Sequence, residues 1–211
     1  MSRPATARLF IALDLPGAVR EELGAWARRA VGAAGGMRAG RADRDARERR
    51  LRRGGVALRT LALESLHMTV SFLGSRPLQD LPGLEEMIEL EVEPRVSEVS
   101  IGAPLWLPPR RPRVLAVEVH DDNGGLATLH REVLRGLAWA GVEPAEGGKR
   151  GFRPHVTVAR IRPGMVPAER VLPPTPKLSF IPERLVLYRS FLSREGARYE
   201  AVAERETVVA P

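Results

Sequence analysis

Phe152-Arg153-Pro154-His155-Val156-Thr157-Val158-Ala159-Arg160 is the stretch from which the rest of the chain can be read. Polar and apolar residues alternate in it with a period of two, the pattern of a half-buried β-strand. That period puts Arg153, His155 and Thr157 on one face and Val156 and Val158 on the other. The pattern recurs in Leu66-His67-Met68-Thr69-Val70-Ser71-Phe72. There Ser65, His67, Thr69 and Ser71 share a face backed by Leu66, Met68, Val70 and Phe72. A single His-x-Thr carries little information, because threonine is a common strand former and strand histidines are usually structural. Two copies, each on an amphipathic strand, use half of the chain's four histidines. His120, closing a strand-like run, and His130, inside a helical pattern, lack this setting and read as structural.

The composition narrows the classes of protein. A chain of 211 residues with 44% apolar content can bury a sizeable core as one domain or two fused lobes. No run reaches the roughly 18 apolar residues of a membrane helix, and the N-terminus lacks the apolar core of a signal peptide. With no cysteine, disulfides and thiolate metal sites are excluded. A cytoplasmic protein without membrane attachment is expected. The net charge of +7 is localised. Nine arginines between Arg38 and Arg59, against Asp43, Asp45 and Glu48, account for nearly all of it. The high pI is therefore weak evidence for a nucleic-acid partner.

In chain order, Arg8 to Leu15 reads as a buried strand stopped by Pro16. A helix from about 17 to 31 carries Val19, Leu23, Trp26, Ala27 and Ala30 at helical spacing, and the glycines from Gly32 to Gly36 end it. The arginine-rich stretch, an insertion at about 32–59, has too few apolar residues for a core face. It reads as exposed, either a phosphate-contacting arm or a solvated loop. After the first His-x-Thr strand, Leu78 to Leu90 is helical and Val96 to Leu107 a strand. The pattern then restarts with a strand from Val114 to Val119. A helix capped by Asn123 and carrying Leu126, Leu129, Val133, Leu134 and Leu137 leads to the second His-x-Thr strand. Strands at about 178–188 and from Tyr199 to Val209 follow. Strand, helix, His-x-Thr strand thus occurs twice. The interval from Phe10 to His67 exceeds that from Val117 to His155 by about the length of the arginine-rich stretch.

An α+β fold follows: a single bilobal domain over 1–211, with pseudo-repeat halves at about 8–107 and 112–209. Each half is a β-α-β-α-β unit, with antiparallel sheets lining a central cleft and helices outside. Each His-x-Thr strand presents one histidine and one threonine to that cleft. Two facing imidazoles suit general acid–base chemistry near neutral pH. Threonine hydroxyls beside them can donate to the non-bridging oxygens of a phosphate. Two histidines without nearby cysteine or carboxylate fall short of the usual metal ligand sets, and no nucleophile elbow is present. The residues point to phosphoryl transfer without metal, cofactor or covalent intermediate.

The paired His67-Met68-Thr69 and His155-Val156-Thr157 resemble the motifs of the two-histidine (2H) phosphoesterase superfamily. The opening Arg8-Leu9-Phe10-Ile11-Ala12, the runs Leu66 to Gly74 and Phe152 to Arg160, and the late Leu187-Tyr188-Arg189-Ser190 resemble its bacterial and archaeal branch. That branch is the RNA 2′,3′-cyclic phosphodiesterases, also called 2′-5′ RNA ligases. The resemblance covers the chain apart from the insertion. It implies a bilobal α+β fold and metal-independent hydrolysis of RNA 2′,3′-cyclic phosphate ends, tRNA halves among them, to 2′-phosphates. It also implies ATP-independent joining of such ends to a 5′-hydroxyl, and a monomer is expected. The alternatives are an enzyme of small cyclic nucleotides or ADP-ribose cyclic phosphate, and an RNA-end-binding protein without turnover.

Within this reading His67 and His155 are catalytic. His67 is assigned as acid and His155 as base, with near-symmetry leaving the exchange open. Thr69, Thr157 and Arg153 bind phosphate. Arg160 falls on the opposite face unless a bulge intervenes, and Phe72 has core parity. Phe10 is placed either under a stacked base at the cleft floor or in the core.

Overall fold

The computed structural model describes residues 5–34, 58–145, 152–163, 165, 167, 171–193 and 196–210. Of the arginine-rich insertion, 35–57 lie outside the described residues. The first strand, β1 (Thr6–Asp14), is followed by helix α1 (Gly17–Ala34). Val19, Leu23, Trp26, Ala27 and Ala30 form its buried stripe, as their spacing predicts. The helix runs past Gly32 to Ala34, whose buried side chain extends the stripe by one turn. Next come the short β2 (Leu58–Thr60), the first His-x-Thr strand β3 (His67–Pro77), and α2 (Leu81–Glu86), which ends in a π turn. Strands β4 (Arg95–Val96), β5 (Val99–Leu107) and β6 (Val114–His120) lead to helix α3 (Gly125–Trp139).

Helix α3 buries Leu126, Leu129, Val133 and Leu137. Its N-terminal cap is not Asn123. The Asp121 carboxylate accepts the Leu126 N–H at 2.7 Å, and Gly124 turns the chain with φ 71°. At Gly136 a Cβ would stand 2.7 Å from the Met87 Cγ, so only glycine lets α3 and the π turn approach so closely. Beyond α3 come the second His-x-Thr strand β7 (His155–Ile161), β8 (Ser179–Phe180), β9 (Arg184–Ser193), β10 (Gly196–Glu206) and β11 (Val208–Val209). The strand expected at about 178–188 is two pieces. Pro182, with no N–H to donate, separates them, and they pair with different neighbours.

The main sheet has nine strands in the order β10-β9-β1-β3-β7-β6-β5-β8, with β2 added on β7. Its two arms, β10-β9-β1-β3 and β7-β6-β5-β8, are antiparallel and meet where Met68 of β3 stands opposite Val156 of β7. Beyond that rung β3 leaves β7, and β2 takes over the same edge through Leu58↔Ile161, Arg59↔Arg160 and Thr60↔Ala159. A cleft opens along this divergence.

The strand order interleaves the two halves of the chain. Helix α1 packs on β2 and β7, α3 packs on β3 and β4, and β9 lies beside β1. The fold is mixed α+β with helices outside the sheet. Burying each Leu, Ile or Val of this core stabilises the fold by about 1.5–3 kcal/mol.

Candidate active site

Both His-x-Thr strands carry the same interruption. On β3, Thr69 pairs with Ala12 and Ser71 with Ile11, so Val70 is an extra residue. On β7, Thr157 pairs with Ala116 and Ala159 with Leu115, so Val158 is the extra residue. Such a bulge resets the alternation of faces. Val70 and Ser71 are consecutively buried, as are Val158 and Ala159. The next residues, Phe72 and Arg160, then return to the face of the histidine and threonine.

Three expectations are revised by this step. Ser71 is not on the cleft face but only 6% exposed. Phe72 is not in the core: it is 44% exposed and lines the cleft. Arg160 lines the cleft as well. Arg153 does not. It precedes the first residue of β7, and its Nη2 donates to Glu118 Oε1 at 2.5 Å.

The cleft holds a cavity of about 630 Å³, lined by His67, Thr69, His155, Thr157 and Arg160. Phe10, Phe72 and Tyr199 form an aromatic wall on the side of β1 and β3. This volume is in the range that takes a nucleotide-sized ligand. Antiparallel register around Met68↔Val156 sets His67 beside Thr157 and Thr69 beside His155.

The two imidazoles are held alike. His67 Nδ1 bonds the Ser65 carbonyl at 2.9 Å, and His155 Nδ1 bonds the Arg153 carbonyl at 2.8 Å. A carbonyl only accepts, so Nδ1 carries the proton in each ring. Nε2 is left as the basic atom of the neutral form.

The surroundings of the two rings differ. His67 packs against Phe10 at 4.8 Å and meets the edge of Tyr199 at 5.2 Å between ring centroids. This enclosure lowers its pKa to about 4, chiefly by desolvation. The Ser65 carbonyl and the Asp14 charge act in the opposite direction, and Arg160 and Arg20 add to the lowering. Asp14 is the cross-strand partner of His67 and is 2% exposed. It accepts the Tyr188 hydroxyl at 2.7 Å and Arg184 Nη2 at 2.9 Å, with Arg20 at 3.2 Å. Burial, then Asp14, raise the Tyr188 phenol well above its ordinary value.

His155 also has an acidic cross-strand partner, Glu118. Glu118 is more open and is tied to Arg153 and, at 3.6 Å, to His120. The hydrogen bond from Arg153 leads in holding its carboxyl below the usual range. His130 stacks on Phe152 at 4.5 Å, and burial lowers its pKa. Neither His120 nor His130 lines the cavity. Phe10 proves both buried, at 4% exposure, and part of the cavity wall. Sequence reasoning missed Asp14, Tyr188 and Tyr199, which become neighbours of His67 only through pairing of β1, β9 and β10. Among the described residues no three His, Asp or Glu side chains converge as a metal site. No helix there is long and apolar enough to cross a membrane.

No protein-family model matches the sequence. An RNA 2′,3′-cyclic phosphodiesterase of Aeropyrum pernix is 32% identical over 158 residues, covering 71% of this chain and 86% of that protein. The RNA 2′,3′-cyclic phosphodiesterase of Escherichia coli is 27% identical over 199 residues, 94% of each chain. Among solved structures, TT0787 of Thermus thermophilus superposes with a TM-score of 0.70 at 24% identity, over 94% of this chain and 97% of that one. E. coli LigT complexed with 3′-AMP gives a TM-score of 0.66 at 23% identity, over 96% and 99%. At these identities the structural likeness is one of fold. Taken with the sequence relatives, it shows that this chain is a phosphoesterase belonging to the RNA 2′,3′-cyclic phosphodiesterase family of two-histidine phosphoesterases.

Proposed function

We propose that the enzyme hydrolyses the terminal 2′,3′-cyclic phosphate of RNA to a 2′-phosphate, using the paired His-x-Thr motifs without a metal ion. One observation carries this reading. Two histidines, each with Nδ1 fixed on the carbonyl two residues earlier, flank one cavity with two threonines and two arginines, Arg8 and Arg160. A base, an acid and donors for non-bridging oxygens are what in-line displacement at phosphorus requires.

In the proposed step a neutral imidazole takes a proton from water as the water oxygen bonds to phosphorus. The 3′-oxygen leaves and receives a proton from the other imidazole. His155, the more open ring, is the base that water reaches. His67 is the acid. It is neutral in the free protein at pH 7 and takes its proton as the anionic phosphate enters, with Asp14 behind it. An acid whose proton is so weakly held gives it up readily to the departing oxygen. Thr69, Thr157 and Arg160 hold the non-bridging oxygens, Arg160 in place of Arg153. Among the described residues the cavity lining includes two histidines and no carboxylate, a poor ligand set for a divalent ion. The same step with a 5′-hydroxyl in place of water joins the two ends through a 2′-5′ phosphodiester: the base takes the hydroxyl proton and the 3′-oxygen leaves protonated as before.

The test is incubation of RNA bearing a 2′,3′-cyclic phosphate with the enzyme in EDTA. Conversion to the 2′-phosphate isomer is expected. A 3′-phosphate product, or activity lost to chelator and restored by a divalent ion, contradicts the reading.

A further inference from the structure

Arg59 of β2 and Arg160 of β7 are direct cross-strand partners. Facing residues of an antiparallel pair share a face with Cβ atoms about 4.5–5.5 Å apart, and like charges so placed destabilise the pair. Both arginines are exposed, and neither has a carboxylate partner among the described residues. By contrast Arg20, Arg95, Arg153 and Arg184 each hold one. Arg162, two residues further on and one past the end of β7, is also exposed and unpaired there. Arg113 is excluded from the group: its carbonyl accepts the Ile161 N–H, which puts its side chain on the other parity.

Past the bulge three guanidinium groups follow one another: Arg160 on β7, Arg59 beside it on β2, and Arg162 just beyond the end of β7. The series begins inside the cavity at Arg160 and continues outside it through Arg59 and Arg162, which are not part of the cavity wall. A cationic group without carboxylate partners among the described residues, leading out of a nucleotide-sized cavity, fits a polyanion longer than the reacting group. Binding one releases counterions and relieves the Arg59–Arg160 repulsion together.

We propose that Arg59 and Arg162 form an RNA-backbone subsite, which holds the phosphodiester next to the reacting cyclic phosphate and so favours polynucleotide ends over mononucleotides. The proposal rests on the RNA-end reading above and specifies its substrate class. Guanidinium–phosphate contacts are charge-assisted and position the chain without reading its sequence. The subsite therefore selects for length rather than base identity.

The experiment compares the parent with Arg59→Ala, Arg162→Ala and Arg59→Lys on two substrates: a short oligonucleotide ending in a 2′,3′-cyclic phosphate, and a nucleoside 2′,3′-cyclic phosphate. In parallel, binding of the same oligonucleotide ending in a 2′-phosphate is measured over a range of salt. Each alanine variant is expected to lose about 5- to 30-fold in kcat/KM on the oligonucleotide, through KM, because charge-assisted contacts to phosphate are lost. Its salt slope is expected to fall by about 0.7, the value for one phosphate contact on a single strand. Mononucleotide turnover stays at the parental level, and Arg59→Lys keeps the slope. Oligonucleotide kinetics and salt slope equal to the parent's, or equal losses on both substrates, overturn the subsite. Failure of the hydrolysis reading looks different: the parent leaves both cyclic phosphates intact, and the binding arm alone then decides the subsite by the same slope criterion.

Discussion

Phe72 and Arg160 occupy the same position relative to their histidines, five residues on and just past a bulge that turns both into the cavity. The cleft is built by repeated backbone geometry, yet the two equivalent positions differ in chemistry, one aromatic and one cationic, and Arg8 adds a second cation on the side of β1. The aromatic rim continues into Phe10 and Tyr199, suited to a nucleobase. The cationic rim suits the phosphate.

Arg160, rather than Arg153, is expected to matter for turnover. Arg160→Ala removes a guanidinium from the cavity and should lower kcat by about 10- to 10³-fold, with Arg160→Lys recovering part of the loss. Arg153→Ala breaks a partly exposed pair with Glu118 and should change kcat by less than about fivefold, since such pairs are worth about 0–1 kcal/mol. Steady-state kinetics on a cyclic-phosphate substrate separates the two. A larger loss from Arg153→Ala contradicts the placement.

The two carboxylates paired with the histidines should differ in stability terms. Asp14 is 2% exposed and accepts from Arg20, Arg184 and Tyr188, so Asp14→Asn removes the buried charge that these donors share, while Arg184 keeps Glu204. A loss of about 1.5–3 kcal/mol in denaturant unfolding is expected. Glu118, 26% exposed, should cost no more than about 1 kcal/mol as Glu118→Gln. Equal losses would mean that the Asp14 cluster is better solvated than its burial indicates.

His67 also makes stability depend on pH. Its folded pKa of about 4 lies below the ordinary 6.5, so the unfolded chain takes up the proton first as pH falls. Above about pH 6.5 both states are neutral and the term vanishes. Between about pH 6.5 and 4 it removes stability, reaching about 3 kcal/mol, and then levels off. Replacing His67 with Gln abolishes the term. The parent's unfolding free energy, measured against His67→Gln, is expected to fall by about that amount from pH 7 to pH 4. A constant difference across this range contradicts an enclosed, neutral His67.

Much of this architecture was legible in the sequence, because strand alternation and helix spacing are local. The stripe Val19, Leu23, Trp26, Ala27, Ala30 lies buried as its spacing requires. His67, Thr69, His155 and Thr157 converge because two-residue steps on a strand need no partner to be read. Parity failed beyond Thr69 and Thr157, where a bulge adds one residue and exchanges the faces. The local trace of each bulge is small: Val70-Ser71 and Val158-Ala159, two consecutive small residues before a large one. Asp14, Tyr188 and Tyr199 were hidden for another reason. Their strands meet His67 only through pairings between distant parts of the chain, and nothing within one strand announces its neighbour.

The threonines should act on turnover more than on binding. Thr69→Val or Thr157→Val keeps a β-branched side chain of similar shape and removes only the hydroxyl. A fall of about 10- to 10³-fold in kcat is expected, with affinity for a 2′-phosphate product close to the parent's. A change confined to KM would place the hydroxyls in ground-state binding alone.

The decisive measurement is turnover of a cyclic-phosphate RNA end by His67→Ala, His155→Ala and the double variant, with product affinity measured alongside. Each single change removes a proton-transfer group and should lower kcat by about 10²- to 10⁴-fold. The double variant should lose far less than the product of the single losses, because acid and base act in one step. Affinity for a 2′-phosphate end should survive in all three. Near-parental turnover in both single variants, with RNA binding abolished, would make the paired His-x-Thr strands a recognition surface and contradict their role as acid and base.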